Sequence, residues 1–459
     1  MQEVPRTKSL PSIDIAPEPT LPPELCQLII NELADDSPSS IPSLLACSLV
    51  CVMFCKTARR QLFSTINIFL VRENTKIQAD STIYVEYLKR ISEILQMSLA
   101  FPEIGMVYYI QSFRLDADEL EEPQLSMLLN DKHFPGLLKS LHGPKHGISR
   151  FTLEILPEES ISFPELSSEF CEAFIDLCWS NSLTSLRLRG FSDLPRTLLL
   201  GTRADNIQFN KCSILPPWQD TAGTMERLYI TDLNTEVPLM RSIAVDDSFP
   251  LIDLLNGNML LEARDRYINA FSRLTSLDLC ARMAENLPDL VEIAQHASQT
   301  LEVLAISVYG GVNLQASGPV NPWADSPPFE LGTLKNLHTL NISSRQSFGL
   351  GTFALLPPIN VLDKITSVPP NLRRVSLRAR SDTRIGDPMN FNWQPLETLV
   401  TQPRFNRIPE RNLSLAYCTW VNPSSDDRSE FHEKLKTIAK AGLPSFTSIQ
   451  SIECTCAFD

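Results

Sequence analysis

Several sets of side chains in this sequence have the type and spacing that chemistry requires. Cys47, Cys51 and Cys55 recur at four-residue steps, which on one helix would line up three thiols for a metal or redox centre. They lie in an apolar run with no His beside them, so packing as small apolar residues is the stronger expectation. His142 and His146 in LHGPKHGI have ligand-like spacing, but Gly143, Pro144 and Gly147 turn the segment, and a solvated loop is expected. Cys454 and Cys456 alternate as strand residues do and read as buried or edge thiols. Glu121-Glu122 and Glu158-Glu159 lack the opposed second carboxylate that acid–base hydrolysis needs. No GxxxxGK[ST], post-strand GxGxxG, HExxH or GxSxG occurs. The sequence therefore predicts a non-catalytic chain with no metal and no cofactor.

One set departs from the acidic background. The chain has 459 residues with 40 Lys and Arg against 54 Asp and Glu, a net charge of -14, which opposes binding to nucleic acid. Against that, Arg373, Arg374, Arg378, Arg380 and Arg384 cluster, and Arg187 and Arg189 sit in LTSLRLRG. If Val375 and Leu377 point inward, alternation along a strand sends Arg374, Ser376 and Arg378 outward, and likewise Arg187 and Arg189.

The elements that would hold these residues recur. An apolar-x-x-apolar-x-apolar hexamer appears in IQSFRL from Ile110, ISRFTL from Ile148, LTSLRL from Leu183, LTSLDL from Leu274, LHTLNI from Leu337 and LRRVSL from Leu372. IQSIEC from Ile449 echoes it, and MERLYI from Met225 and LEVLAI from Leu301 are looser forms. Chance would give roughly two such hexamers over this region against the six present. Helical patterns lie between them at residues 165–179, 262–272, 287–298 and 427–441. STINIFLV from Ser64 reads as a first strand, with a helix from about Ser81 to Phe101. Pro-, Gly- and Ser-rich segments from Gly310 and from Ser381 read as long surface loops.

Short strands alternating with helices at irregular 20–50-residue spacing resemble a degenerate leucine-rich-repeat array over residues 105–459. Cys212 in ADNIQFNKCSIL occupies the place of the Asn or Cys that follows the strand core in that family. The resemblance implies a concave face lined by outward strand positions. On it, Tyr229, Asp278 and Asn341 would join Arg187, Arg189, Arg374, Arg378 and Arg380, and guanidinium forks suit an acidic or phosphorylated target. Surface charge balance is the alternative reading of those arginines.

A different pattern occupies residues 21–63. Leu25, Leu28, Ile29 and Leu33 form one stripe on a helix opened by Pro22 and Pro23 and stopped by Asp35, Asp36, Ser37 and Pro38. Leu44 to Cys55 is apolar except for Ser48, too short to span a bilayer, and reads as a buried helix. Arg59, Arg60, Leu62 and Phe63 close the unit. Three short helices in this length bury little surface alone, so a partner is the natural complement.

The opening LPPEL from Leu21, the Ile29–Leu33 helix, SLVC with Val50 and Cys51, and the closing ARRQLF resemble an F-box in the form common among mushroom-forming fungi. The resemblance implies docking on a Skp-type adaptor through Leu21, Pro22, Leu25, Ile29, Leu33, Leu49, Val50, Cys51, Phe54 and Leu62. The partners so implied are that adaptor, a Cullin-RING ubiquitin ligase behind it, and an unknown protein substrate. Phe54 stands where the family prefers Trp, and Val52 where it often has Arg or Lys.

The expected organisation is a flexible leader at 1–20, an F-box-like helical module at 21–66, a linking strand and helix at 67–104, and an irregular leucine-rich-repeat-like α/β solenoid at 105–459. Four prolines and no apolar core in MQEVPRTKSLPSIDIAPEPT argue against a signal peptide or membrane anchor. Eleven cysteines without a small-scaffold spacing predict reduced thiols, hence cytoplasm or nucleus. The function expected is substrate recognition for a ubiquitin ligase; the rival is a repeat scaffold with a helical cap that meets no adaptor.

Overall fold

The computed structural model describes residues 22–33, 40–70, 81–101, 105–117, 120, 122–155, 160–195, 198, 202–213, 241–245, 271–281, 287–309, 328–345, 356–382, 393–419, 433 and 436–456. The protein is mixed α/β, built on one large parallel sheet. Its strands are β1 (Thr65–Phe69), β2 (Ser112–Ala117), β3 (Arg150–Ile155), β4 (Ser185–Arg189), β5 (Asn206–Asn210) and β6 (Ser242–Val245), continuing with β7 (Ser276–Ala281), β8 (Val303–Tyr309), β9 (Thr339–Arg345), β10 (Arg374–Asp382), β11 (Glu410–Thr419) and β12 (Ser448–Cys456). Among the described residues these twelve lie side by side in strict chain order, each parallel to the next.

The recurring hexamers explain this arrangement. Every apolar residue of the six is buried: the first just before the strand, the other two on the strand's inward face, as in Leu274, Leu277 and Leu279. Three apolar residues per turn of chain bring each strand to the same depth in one core. Phe113 of β2 stacks on Phe151 of β3 at 5.7 Å, and Phe134, Phe170 and Phe174 extend that aromatic layer outward. The alternate positions in register, such as Arg114, Thr152, Arg187 and Gln208, share the opposite face.

Parallel strands require crossovers, and helices fill most of those described. Three helices precede the sheet: α1 (Pro23–Leu33), α2 (Ser40–Cys47) and α3 (Val52–Leu62). In the crossovers lie α4 (Ser81–Leu99), α5 (Glu122–Leu129), α6 (His133–Ser140), α7 (Ser168–Cys178), α8 (Leu287–His296), α9 (Leu356–Lys364), α10 (Gln394–Val400) and α11 (Pro403–Asn406). α4 packs on α6, and α6 on α7. Among the described residues no helix is long and apolar enough to cross a membrane.

Polar contacts bind each turn of chain to the previous one. The carbonyl of Thr275 accepts from the N–H groups of Glu302 and Val303, that of Glu302 from His338 and Thr339, and that of His338 from Arg373 and Arg374. Just before the first apolar residue of these motifs, a side chain reaches back: Thr300 Oγ1 donates to Leu274 O (2.9 Å), Asn336 Nδ2 to Gln299 O, and Asn371 Nδ2 to Lys335 O (2.7 Å). Gly190, at φ 83°, crosses the chain after β4, where a Cβ would come 2.1 Å from Ile155 O.

The segment expected to link through a strand and a helix contains part of β1, which pairs with β2, and α4, and its Ile68, Leu88 and Leu95 belong to the main core. One expectation is corrected. Leu44–Cys55 is not one buried helix. Ser48 Oγ donates to Leu45 O (2.6 Å), the N–H groups of Leu49 and Val50 close short turns on Ala46 O and Cys47 O, and Cys51 is extended before α3 begins.

Candidate functional site

The helical unit has a core of its own, formed by the buried Ile30, Leu44 and Ala58 with Cys47, Phe54 and Leu62 packed against them. Phe54, Ala58 and Leu62 recur every four residues on α3, so they share its inward face. Gln61 Nε2 donates to Asn31 Oδ1 (2.9 Å) and ties α3 to α1. With so small a core, most of the unit's apolar residues are left outside. Leu25, Leu28, Ile29 and Leu33 of α1 are exposed, so the stripe read from the sequence faces outward and Ile30 faces inward. Ile41, Leu45 and Met53 add to this surface, and the turn between α2 and α3 presents Leu49 at 87% and Val50 at 68% exposure.

The expected docking residues therefore divide in two. Pro22, Leu25, Ile29, Leu33, Leu49, Val50 and Cys51 are exposed, whereas Phe54 and Leu62 are partly buried in the unit's core. Leu21 lies outside the described residues. These exposed apolar side chains are spread over all three helices of the unit and the turn between α2 and α3. The i, i+4 pattern in FCKTARRQL was the signal by which Ala58 was identifiable as core.

The face of the sheet opposite the core is a second surface. Register places Arg187, Asp278 and Asn341 on one row and Arg189 and Arg378 on that row's side of the sheet, with Arg374 nearer the strand starts. Val375 and Leu377 are buried while Arg374 and Arg378 are exposed. Arg380 is in β10 in register with Arg345, and Tyr229 lies outside the described residues.

Two of these arginines, Arg187 and Arg374, are engaged with acids of the same face. Arg374 Nε lies 2.6 Å from a Glu410 carboxylate oxygen. Arg187 Nε lies 2.6 Å from Glu154 Oε1, an ion-pair contact whose alignment falls short of a hydrogen bond. Arg114, which the sequence reading passed over, donates through Nη2 to both Glu154 Oε2 and Asp116 Oδ2 at 2.7 Å and lies 5.5 Å from the centre of the exposed Phe69 ring. Glu154 is only 2% exposed, so its charge is held between two guanidinium groups. The signal for Arg114 was its place in IQSFRL, equivalent to Arg187 in LTSLRL.

The other chemical candidates take structural positions. Cys47 ends α2, Cys51 precedes α3 and Cys55 is within it, so the three do not share one helical face. Among the described residues no three His, Cys, Asp or Glu side chains gather as metal ligands would. His142 and His146 form a short antiparallel ladder with Gly147 and Gly143 and are half-buried rather than solvated. His146 Nε2 is 3.2 Å from Ser140 O and its ring meets Tyr108 edge-on, while burial pushes His142 below the usual imidazole range, partly opposed by Asp176. Burial raises the Cys171 thiol to about 12, which leaves it without thiolate at neutral pH. Glu121 and the Glu158–Glu159 pair lie outside the described residues, as does most of the 262–272 helix.

Comparison with known proteins completes this description: no family model matches the chain, and no curated protein sequence matches it.

Proposed function

We propose that this protein is the substrate-recognition subunit of a Skp-Cullin-F-box ubiquitin ligase. In this reading residues 21–66 are an F-box that docks a Skp-type adaptor, and the sheet-bearing remainder is a leucine-rich-repeat-like solenoid that holds a target protein. The observation that supports it best is the helical unit itself, which buries Ile30, Leu44 and Ala58 and leaves Leu25, Ile29, Leu33, Leu49 and Val50 exposed at positions the resemblance assigns to adaptor contact.

The mechanism is tethering. Docking the helical unit on the adaptor would bring a target held by the sheet into the reach of enzymes on other chains, raising its local concentration without chemistry here. Exposed leucines suit this role because the unbound chain must stay folded and the bound one must gain area.

Co-purification with a Skp-type adaptor tests the reading. Burial of a leucine is worth about 1.5–3 kcal/mol, so Leu25→Ala with Leu49→Ala should weaken adaptor binding by roughly 10²-fold or more. Both side chains are exposed, so circular dichroism and thermal melting should be nearly unchanged. Adaptor capture by the folded double variant at the wild-type level would reject the docking assignment and favour the scaffold reading.

A further inference from the structure

Charge is unevenly spread along the open face of the sheet. Over β1–β4, strand register brings Arg114, Arg150, Arg187 and Arg189 onto that face together with Asp116 and Glu154. Four arginines against two acids leave this stretch a net charge of +2, in a chain whose total is -14. On the next strand, β5, the outward positions are Asn206, Gln208 and Asn210, so the cationic patch ends there.

The two acids lie beneath the arginines. The side chains of Glu154 and Asp116 are 3% and 19% exposed, those of Arg114 and Arg187 41% and 44%, and Arg150 is exposed as well. Glu154 holds Arg114 through Nη2 and Arg187 through Nε, contacts that fix both guanidinium groups while using one of the three nitrogens of each. A partner approaching this face meets cations first, with the compensating carboxylates below them. The arginines are also spaced out, since Arg187 and Arg189 stand about 7 Å apart along β4 and Arg150 about 8 Å from Arg187 across to β3. Such intervals suit the successive single charges of a peptide better than the one point of a phosphate. Phe69, exposed and 5.5 Å from the Arg114 guanidinium, adds an apolar seat at the border of the patch.

We propose that this patch takes an acidic, unphosphorylated segment of the target protein, an inference that rests on the target-holding reading above. Carboxylates of the segment meet Arg150, Arg187 and Arg189, and an aromatic side chain among them packs on Phe69. Charge complementarity selects this occupant. The negative charge of the chain as a whole repels a long polyanion such as nucleic acid, whereas a short acidic segment feels mainly the charges within a screening length of about 8–10 Å. Because the segment shares two of its guanidinium partners with Glu154, its affinity alone is modest, and the remainder of the target adds to it.

Fluorescence anisotropy on the full chain tests this with a fluorescein-labelled peptide of glutamates around one tryptophan, about six residues and so at most about 20 Å long. The peptide should bind with a dissociation constant of about 10–100 µM, weakening as salt rises. Arg150→Gln with Arg187→Gln should weaken it by about tenfold or more, and Phe69→Ser by about threefold, in chains of unchanged circular dichroism. Arg150 is exposed, so Arg150→Gln alone keeps the fold and should still cost about threefold. Arg378→Gln, six strands away on β10 and about 29 Å distant, should leave binding unchanged. No binding by the folded wild type at about 0.5 mM would overturn the proposal. So would equal binding of the peptide with glutamine for glutamate, an affinity indifferent to the arginine changes, or tighter binding of an otherwise uncharged phosphoserine peptide or of a labelled oligouridylate. Adaptor binding is read separately on the same chain: capture of adaptor without the peptide overturns this inference alone, and peptide binding without adaptor overturns the ligase reading alone.

Discussion

At the scale of single residues, the buried Glu154 and the half-buried His142 each have surroundings that make a measurable claim. Glu154 is held by Arg114 and Arg187, both more than two-fifths exposed. Breaking a fully buried pair costs about 3–5 kcal/mol, but solvent screening of these guanidinium groups reduces the expected loss for Glu154→Gln to about 1–2 kcal/mol. Urea titration should show it, and a double-mutant cycle with Arg187→Gln should return a coupling that shrinks in high salt. His142 titrates below its ordinary value because it is buried. Its contribution to stability is therefore complete above the unfolded pKa near 6.5, and falls as pH drops through the lower folded value, because the unfolded chain takes the proton first. His142→Asn should flatten the stability profile below about pH 6.5, by at most about 1.4 kcal/mol per pH unit.

At the scale of elements, two devices set the geometry. Ala58 lies at the meeting of the first three helices and is fully buried. Ala58→Leu should overpack that small core by about 1–3 kcal/mol and raise protease sensitivity within 23–62 while the sheet remains intact. Asn371, whose amide reaches the carbonyl of Lys335 one turn back, should cost about 0.5–1.5 kcal/mol when changed to Ala, read as faster amide exchange in β9 and β10. The sheet was legible because three apolar residues per hexamer specify one inward face wherever they recur. The break between α2 and α3 was not, since apolar periodicity says nothing of a Ser hydroxyl that takes a backbone carbonyl at Ser48. Of the helical unit's exposed apolar surface, α1 and the 49–51 turn were readable from residue type, while the inward turn of Phe54 and Leu62 needed their spacing from Ala58. The ion pairs on the open sheet face depend on neighbours 40 residues apart in sequence, as Arg114 and Glu154 are, which alternation within one strand cannot reveal.

At the scale of the whole molecule, two surfaces divide the work in the reading offered: the apolar helical unit for an adaptor, and the open face of the sheet for a target. The sheet's open face carries charge in locally compensated pairs, and a target that docks there must compete with Glu154 and Glu410 for the same guanidinium groups. Target binding through Arg187 or Arg374 should therefore weaken steeply with salt and strengthen when the competing acid is removed, as in Glu410→Gln. A target whose affinity is indifferent to both changes would have to bind elsewhere.

The most direct measurement for the proposed function is a calorimetric titration of the purified full chain with a Skp-type adaptor. Exposed leucines at the adaptor positions predict saturable binding with a dissociation constant of about 1 µM or tighter, weakened by roughly 10²-fold or more in Leu25→Ala with Leu49→Ala. No binding by a folded wild-type chain at tens of micromolar would contradict it.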